Sequence, residues 1–409
     1  IIQMMIKRHI SKIAFSRDFG RQMRFIIGPR QTGKTTAAKE FLKKQNCLKL
    51  YYNWDDRKTR DRYIADYHFF VRELYNVKPS NGRRWLCMDE IHKYPEWKNV
   101  LKDFFDSFGE ENGFIVTGSA RLDMMRKSGD SLAGRYFTFR LNPVTLRELT
   151  GKSFLEPPAD ADDWIMQKLD HPTYKEKELS ALLRFSGFPE PLLSTSVRFH
   201  NKWRTDYVDR LIREDMRDLT RIQELENIAT LMYLLPSKIA SPLSINSLTA
   251  NIKCSFATVS NYLKAMELGY LIFRISPYSK KIARSLTKEN KVYFFDWTRI
   301  NDPAAQFENY IAVELKTLLE LWTDAGIGNF DLHFLRDRDG RETDFLILRD
   351  KEPWLMVEAK LSRSVIDYHH RKNRNTLGGI SFVQVVRQEN IAEKRENGLY
   401  QISASRFFA

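Results

Sequence analysis

Residues 28–35 have the types and spacing of a phosphate-binding loop. Their sequence, GPRQTGKT, fits the pattern G-x-x-x-x-G-K-[ST], in which backbone N–H groups wrap the phosphates of a nucleotide. Lys34 would neutralise the β- and γ-phosphate oxygens, and the Thr35 hydroxyl would join the shell of a magnesium ion. The pattern predicts ATP contacts from Gly28, Pro29, Arg30, Gln31, Thr32, Gly33, Lys34, Thr35 and Thr36.

Two acids follow an apolar run further along the chain. The run Trp85–Met88 has the composition of a buried strand, and Asp89 and Glu90 come directly after it. Asp89 would hold magnesium directly or through water, and Glu90 would orient or polarise the water that attacks the nucleotide. A nucleotide switch without hydrolysis would not need the second acid, so the pair predicts hydrolysis.

Polar residues also end a third apolar run, at Phe114–Ser119. Thr117 or Ser119 would sense the γ-phosphate from a neighbouring strand. Several arginines follow, and any one of them is a candidate arginine finger that stabilises transition-state charge across a subunit interface. These candidates are Arg121, Arg126 and Arg135.

A second group of candidate catalytic residues lies near the C-terminal end of the sequence. Glu308 heads the apolar face of a helix predicted over residues 307–322, where a carboxylate needs a partner. A hairpin symmetric about Lys351 would place Asp344 opposite Glu358, with Lys360 on the same face. Three carboxylates and a lysine are the layout of a PD-(D/E)xK nuclease, in which the carboxylates bind Mg²⁺ and the lysine stabilises negative charge. A salt-bridged hairpin, or a nuclease-like fold without activity, is the alternative.

The elements that would position these residues differ along the chain. Strands and amphipathic helices alternate over residues 23–150, which predicts βαβ units and a parallel sheet. The proline-rich, acidic segment 156–163 is typical of a boundary. Residues 241–275 have a helix-turn-helix pattern in which Ser255 caps the second helix and a strand follows, as in a winged helix. Lys280, Lys281 and Arg284 would then lie in the wing and contact phosphates.

The sequence therefore predicts an α/β protein of four parts. They are a P-loop ATPase domain with a parallel sheet (1–155), a helical linker or lid (156–235), a winged-helix domain (236–287) and a restriction-endonuclease-like α/β domain (288–409).

The loop, together with DEIH, TGSAR, SLAGR and LNPVTLREL, resembles a prokaryotic AAA-type ATPase family related to the STAND and archaeal ATPase groups. The resemblance covers about residues 20–150. It implies a nucleotide site made of Lys34, Thr35, Asp89, Glu90 and Arg135. The segments FSGFPEP, FENYIAVEL and RDRDGRETDFLI…VEAK are similar to a C-terminal domain of unknown function, of the DUF4143 type, that accompanies such ATPases.

The net charge, the cysteines and the apolar runs of the sequence indicate which partners and which cellular compartment to expect. The 409 residues carry a net charge of +14, which favours a polyanionic partner, nucleic acid first. Cys47, Cys87 and Cys254 have no paired spacing, which argues against a zinc site or disulfides and fits a reducing cytoplasm. No apolar run approaches the ~18 residues of a membrane span, and the first ten residues are charged too early for a secretion signal.

These observations predict a cytoplasmic, DNA-associated ATPase that uses ATP and Mg²⁺ and has a metal-dependent nuclease-like domain. The alternative is a nucleotide-switched protein whose C-terminal domain docks DNA or a partner protein without cleaving it. The sequence leaves both nuclease activity and assembly into a homo-oligomer open.

Overall fold

A computed structural model of the chain describes residues 6–66, 68–118, 132–170, 173–216, 225–279, 289–337 and 339–409. These residues divide into two compact units, Lys7–Asn142 and a second unit that contains Ile6 and Pro143–Ala409. The predicted boundary after residue 155 lies within the second unit. Ser119, Arg121, Arg126, Lys280, Lys281 and Arg284 lie outside the described residues.

A five-stranded parallel sheet forms the centre of the first unit. Its strands are β1 (Met23–Ile27), β2 (Tyr51–Asn53), β3 (Arg84–Asp89), β4 (Asn112–Thr117) and β5 (Tyr136–Arg140), in the order β2-β3-β4-β1-β5. All residues of β1 and β4 are buried, as expected of central strands in a sheet covered on both faces. The helices are α1 (His9–Ala14), α2 (Lys34–Lys44), α3 (Arg57–Ala65), α4 (Phe69–Asn76) and α5 (Trp97–Phe108), with 3₁₀ turns at Arg17–Phe19, Leu48–Leu50 and Ile91–Lys93.

Helices form the first half of the second unit. Two of them begin at predicted or recognisable caps: the Thr145 hydroxyl and the Glu148 carboxylate form a capping box, and the Ser255 hydroxyl accepts the Thr258 N–H. These helices are α6 (Leu146–Leu149), α7 (Ala161–Asp170), α8 (Glu176–Phe185), α9 (Pro189–Ser194), α10 (Val197–Arg210), α11 (Leu225–Leu234), α12 (Ile245–Ile252) and α13 (Phe256–Leu268), with a π-helical segment at Leu211–Met216 and a 3₁₀ turn at Leu235–Lys238.

The rest of the second unit is built on an eight-stranded mixed sheet in the order β12-β13-β11-β10-β9-β8-β6-β7. Its strands are β6 (Ile272–Pro277), β7 (Lys291–Phe294), β8 (Phe330–Arg336), β9 (Glu342–Arg349), β10 (Glu352–Lys360), β11 (Ser381–Val386), β12 (Ala392–Glu396) and β13 (Leu399–Ser403). The accompanying helices are α14 (Pro303–Asp324), α15 (Tyr368–Thr376) and α16 (Ala404–Phe407), with a 3₁₀ turn at Trp297–Arg299.

Strands β6 and β7 pair antiparallel after the helix-turn-helix segment, and β6 also pairs parallel with β8. The strands expected of the winged helix are therefore the edge of the large C-terminal sheet. One hydrophobic core, with members from Val144 to Phe408, continues from the helices into this sheet. In the described residues, no helix is both long and apolar enough to cross a membrane.

Candidate functional site

The loop after β1 depends on two glycines. Gly28 has φ +142° and Gly33 has φ +96°, a region that side chains rarely adopt. A Cβ at Gly28 would lie 2.3 Å from the Leu141 carbonyl oxygen, whereas nothing lies within 4 Å of a Cβ at Gly33. Gly28 therefore lets the loop pass the backbone after β5, and Gly33 leaves open space at the N-terminus of α2. An N-terminus of this kind attracts phosphates through its N–H groups and its dipole.

Side chains hold this loop from inside. The buried Lys34 ammonium donates to the carbonyl oxygens of Gly28 and Pro29 at 3.0 and 2.6 Å. The buried Thr32 hydroxyl donates to the Pro29 carbonyl oxygen at 2.9 Å, so it stabilises the loop itself. Arg8, which sequence analysis missed, donates to the carbonyl oxygens of Thr32 (2.6 Å) and Asn142 (2.5 Å).

Asp89 lies at the carboxyl end of β3 and accepts hydrogen bonds from three hydroxyl groups. Thr35, in the first turn of α2, donates to Asp89 Oδ2 at 2.8 Å, and Tyr51 donates to the same oxygen. Thr117, at the end of β4, donates to Asp89 Oδ1. The structure thus brings the predicted loop and the predicted acid together. The hydroxyl of Thr117, a candidate γ-phosphate sensor, is used to orient Asp89, and Tyr51 belongs to no motif that would have identified it.

Glu90 follows Asp89 in a left-handed conformation, with φ +58°, which is strained for a residue with a side chain. Its N–H donates to the Thr117 carbonyl oxygen at 2.9 Å, which fixes this turn against β4. The Glu90 Oε2 atom is buried, accepts no hydrogen bond from the described residues, and lies 3.4 Å from His92 Nε2. Burial raises the pKa of Glu90, and the nearby Lys34 ammonium only partly opposes this rise. A carboxylate with a raised pKa and spare acceptor capacity suits a general base.

These residues fit a magnesium ion by their chemistry. Mg²⁺ takes oxygen ligands and keeps several waters, so one carboxylate and one hydroxyl are enough when a nucleotide supplies phosphate oxygens. Asp89 and Thr35 supply that pair at the same edge of the sheet as the loop.

Arg135 does not lie with the other predicted nucleotide residues. It immediately precedes β5, and its carbonyl oxygen accepts the N–H of Met23, the first residue of β1. It is therefore at the amino end of parallel strands, about 15 Å of strand away from the loop. Its guanidinium forms a two-point ion pair with Asp106, at 2.7 and 2.9 Å. Within one copy of the chain, Arg135 cannot reach the phosphates, and a finger role would require a second copy.

In the second unit, the predicted carboxylates do converge. Strands β9 and β10 meet in a two-residue turn at Asp350 and Lys351, both with positive φ, and Phe345 faces Val357. That register sets Asp344 against Glu358, as predicted. The Asp344 N–H donates to Glu358 Oε2 at 3.2 Å, and Lys360 Nζ lies 2.8 Å from Glu358 Oε1.

Three residues that sequence analysis missed, Lys291, Glu342 and Tyr293, complete this group. Lys291, from β7, places its ammonium 3.2 Å from Glu308 Oε1, 3.3 Å from Asp344 Oδ1 and 3.1 Å from Glu342 Oε2. Tyr293 donates to Glu308 Oε1 at 2.8 Å. We call Lys291, Glu308, Glu342, Asp344, Glu358 and Lys360 the carboxylate cluster. Lys291 precedes both predicted strands, and no spacing rule connects it to them.

Burial dominates the electrostatics of the carboxylate cluster. It raises the pKa of Glu308 and of Glu358, and the charge of Asp344 raises both further. Burial alone would lower the pKa of Lys291, but the attraction of Glu308, Asp344 and Glu342 outweighs it and raises that pKa. Lys291 is therefore a permanent cation at physiological pH.

Among the described residues, only Asp367, His369 and His370 offer three metal-ligating atoms that all lie within 4.8 Å of one another. Glu308, Asp344 and Glu358 do not form such a group. His370 Nδ1 shares a hydrogen bond with the Thr343 hydroxyl at 2.9 Å, and burial lowers the His370 pKa to about 3.

Comparisons with known proteins agree with the nucleotide site. Residues 20–150 match the model of an AAA domain, and residues 176–298 match a domain of unknown function, DUF8612. The match for the second region is therefore to DUF8612, and the DUF4143-type resemblance is not confirmed.

The similar curated proteins are uncharacterised. MJ1637 of Methanocaldococcus jannaschii is 26% identical over 67% of this chain, and the match spans 60% of its own length. Rv2008c of Mycobacterium tuberculosis is 21% identical over 84% of this chain and 75% of its own length.

Solved structures give weaker matches. Aeropyrum pernix ORC1 in complex with DNA covers 71% of this chain and 86% of its own, with 14% identity and a TM-score of 0.33. AMPPCP-bound DnaA of Aquifex aeolicus covers 63% and 85%, with 17% identity and a TM-score of 0.27. The domain match and the site geometry agree: residues 20–150 match an AAA domain, and they contain the loop after β1 and the acidic end of β3 that lie together in the structure.

Proposed function

We propose that the first unit binds ATP with Mg²⁺ and hydrolyses it. The observation that carries this proposal is the 2.8 Å hydrogen bond between the Thr35 hydroxyl and Asp89, with the buried Oε2 atom of Glu90, the next residue, close by. This hydrogen bond joins Thr35, the last residue of the phosphate-binding loop, to Asp89 at the end of β3. A loop alone would bind a nucleotide, whereas Glu90 adds a group for activating water.

Each residue then has a role that follows from its contacts. The Lys34 ammonium exchanges the carbonyl oxygens of Gly28 and Pro29 for phosphate oxygens. Thr35 and Asp89 would hold the magnesium ion, which neutralises charge on the β- and γ-phosphates when it is bound. Glu90 accepts a hydrogen bond from the attacking water and orients it, because its Oε2 accepts no hydrogen bond from the described residues.

The test is steady-state ATP hydrolysis and ATP affinity of the full chain. Glu90→Gln should keep ATP affinity but hydrolyse ATP about 10²–10⁴-fold more slowly, since it removes the base. Lys34→Ala should lose affinity. Lys43→Ala, an exposed lysine on the same helix, is the matched control and should leave both unchanged. Unchanged hydrolysis in Glu90→Gln would remove Glu90 from the mechanism.

DNA is the partner that the charge favours. The net charge is +14, and helix α13 presents Asn261 and Lys264 to solvent while it buries Val259, Leu263 and Met266. A solvent-facing polar surface on the second helix of a helix-turn-helix pair is the arrangement used to enter a DNA groove. We therefore favour a nucleotide-controlled protein whose second unit docks DNA. Fluorescence anisotropy with a DNA duplex at several salt concentrations tests this partner.

The predicted nuclease role of Glu308, Asp344, Glu358 and Lys360 has less support than docking without cleavage. The convergence of these residues favours cleavage, but the ammonium of Lys291 among the carboxylates opposes it. Nicking of a supercoiled plasmid with Mg²⁺ or Mn²⁺, compared with Asp344→Ala, separates the two functions.

A further inference from the structure

The carboxylate cluster contains its own cation. Lys291 is 1% exposed, and its ammonium lies within 3.3 Å of Glu308, Glu342 and Asp344, which come from α14 and β9. A lysine ammonium has three N–H donors. Two of these donors form hydrogen bonds with Glu308 Oε1 and Asp344 Oδ1, and Glu342 Oε2 forms an ion pair with the same ammonium at 3.1 Å.

The second oxygens of Asp344 and Glu342, and both oxygens of Glu358, also have donors. The Ala359 N–H donates to Asp344 Oδ2 at 3.0 Å. The Asp344 N–H and the Lys360 ammonium occupy the two oxygens of Glu358. Arg336 lies 3.3 Å from the second oxygen of Glu342. A magnesium ion needs six oxygen ligands in near-ideal octahedral geometry at about 2.0–2.1 Å, so it would have to displace several of these donors.

We propose that Lys291 takes the place of a divalent metal ion in the carboxylate cluster. The ammonium neutralises the carboxylates and ties α14 to β9, so the wild-type cluster does not bind Mg²⁺ or Mn²⁺. Replacing Lys291 with a neutral side chain would leave acidic oxygens around the vacated position and create a cation site. This proposal concerns the second unit and does not rest on ATP hydrolysis.

A metal ion bound elsewhere must be distinguished from one in the cluster. The group Asp367, His369 and His370 lies next to it in sequence and in space, since His370 Nε2 is 3.8 Å from Glu358 Oε1. Asp367 is exposed, and the structure places it at the start of α15, so Asp367→Asn alters that group without touching Lys291.

The experiment measures Mn²⁺ binding to the nucleotide-free full chain by titration calorimetry, with electron paramagnetic resonance to count free ions. Lys291→Met should bind one more Mn²⁺ ion than wild type, or bind it at least tenfold more tightly. The gain should disappear in Lys291→Met/Asp344→Asn. Lys291→Arg, which keeps the charge, should show no gain. A folded Lys291→Met protein that binds Mn²⁺ no better than wild type would overturn the proposal.

The wild type supplies a test that does not depend on the folding of Lys291→Met. The wild type and Asp344→Asn should bind Mn²⁺ with the same affinity. Binding that weakens in Asp367→Asn but not in Asp344→Asn also supports the proposal, because it puts the ion outside the cluster. A tenfold loss of Mn²⁺ affinity in Asp344→Asn, or plasmid nicking by wild type that Asp344→Asn abolishes, would show that the wild-type cluster holds a metal.

Discussion

Gly28→Ala should destabilise the first unit more than any change that only strains the loop backbone. The new Cβ would meet the Leu141 carbonyl oxygen at 2.3 Å and the Leu141 carbonyl carbon at 3.0 Å. Leu141 has no room to retreat, because it is 1% exposed and its N–H donates to the Ile27 carbonyl oxygen at 2.8 Å. The clash is therefore backbone against backbone, with no flexible side chain to absorb it.

The magnitude has two parts. A side chain held at φ +142° costs about 1–3 kcal/mol in backbone strain. Forcing an extra methyl group into a packed site adds about 1–3 kcal/mol. Gly33→Ala is the matched control, because Gly33 also has a positive φ (+96°) but nothing lies within 4 Å of its Cβ. Gly28→Ala should therefore destabilise the first unit by about 1–3 kcal/mol more than Gly33→Ala does, because only Gly28→Ala adds the steric contribution.

Native-state hydrogen exchange of the amides in Met23–Ile27 and Tyr136–Arg140 measures this difference, since these strands flank the clash and report the opening free energy of the first unit. ATP affinity is measured in parallel, and both variants should weaken it. Equal destabilisation by the two variants, or a larger effect of Gly33→Ala, would refute the steric argument.

Two further predictions concern the second unit. Burial raises the pKa of Glu314 to about 8 from 4.5. Between these two pH values the folded state therefore keeps a proton that the unfolded state releases. The free energy of unfolding should fall by up to about 5 kcal/mol as pH rises from about 4.5 to 8. Gln at position 314 can still accept hydrogen bonds from the Leu146 N–H and the Tyr310 hydroxyl, but it does not titrate. Urea unfolding at pH 6 and pH 9 should therefore show a smaller loss of stability for Glu314→Gln than for wild type. An equal loss of stability would exclude Glu314 as its source. DNA affinity should fall steeply with salt, with a slope of about −0.9 for each phosphate contacted, and Lys264→Ala should make the slope shallower by about 1; an unchanged slope would remove α13 from the interface.

Local patterns predicted much of the fold and of the nucleotide site. Strand β1 begins at residue 23, where the alternation of strands and helices was predicted to start, and all five of its residues are buried although Arg24 is charged. Ser255 caps α13 as predicted, since its hydroxyl satisfies an N–H within three residues. The register of Asp344 and Glu358 also follows from sequence, although a bulge between Pro353 and Leu355 is needed to reach it from the two-residue turn.

What sequence analysis missed depends on contacts between distant segments. Arg135 is adjacent in sequence to the nucleotide motifs, yet it precedes its strand, whereas the loop and Asp89 follow theirs. Parallel strands put these positions at opposite edges of the sheet. Tyr51 reaches Asp89 only because β2 pairs with β3. Lys291 reaches the carboxylates only because β6 joins β7 to the large sheet through β8.

Asp89 in the first unit and the carboxylate cluster in the second unit differ in the kind of hydrogen-bond donor around their carboxylates. This difference distinguishes a site suited to binding a ligand from one suited to stabilising the fold. Asp89 accepts from the hydroxyls of Thr35, Tyr51 and Thr117, and a hydroxyl has lone pairs as well as a proton. In the proposed complex with ATP and Mg²⁺, Thr35 would turn a lone pair toward the ion while Asp89 accepts from another donor. The ammonium of Lys291 has no lone pair and can only donate. A site satisfied by hydroxyls can exchange its partners when ATP arrives, whereas a site satisfied by a buried ammonium keeps them.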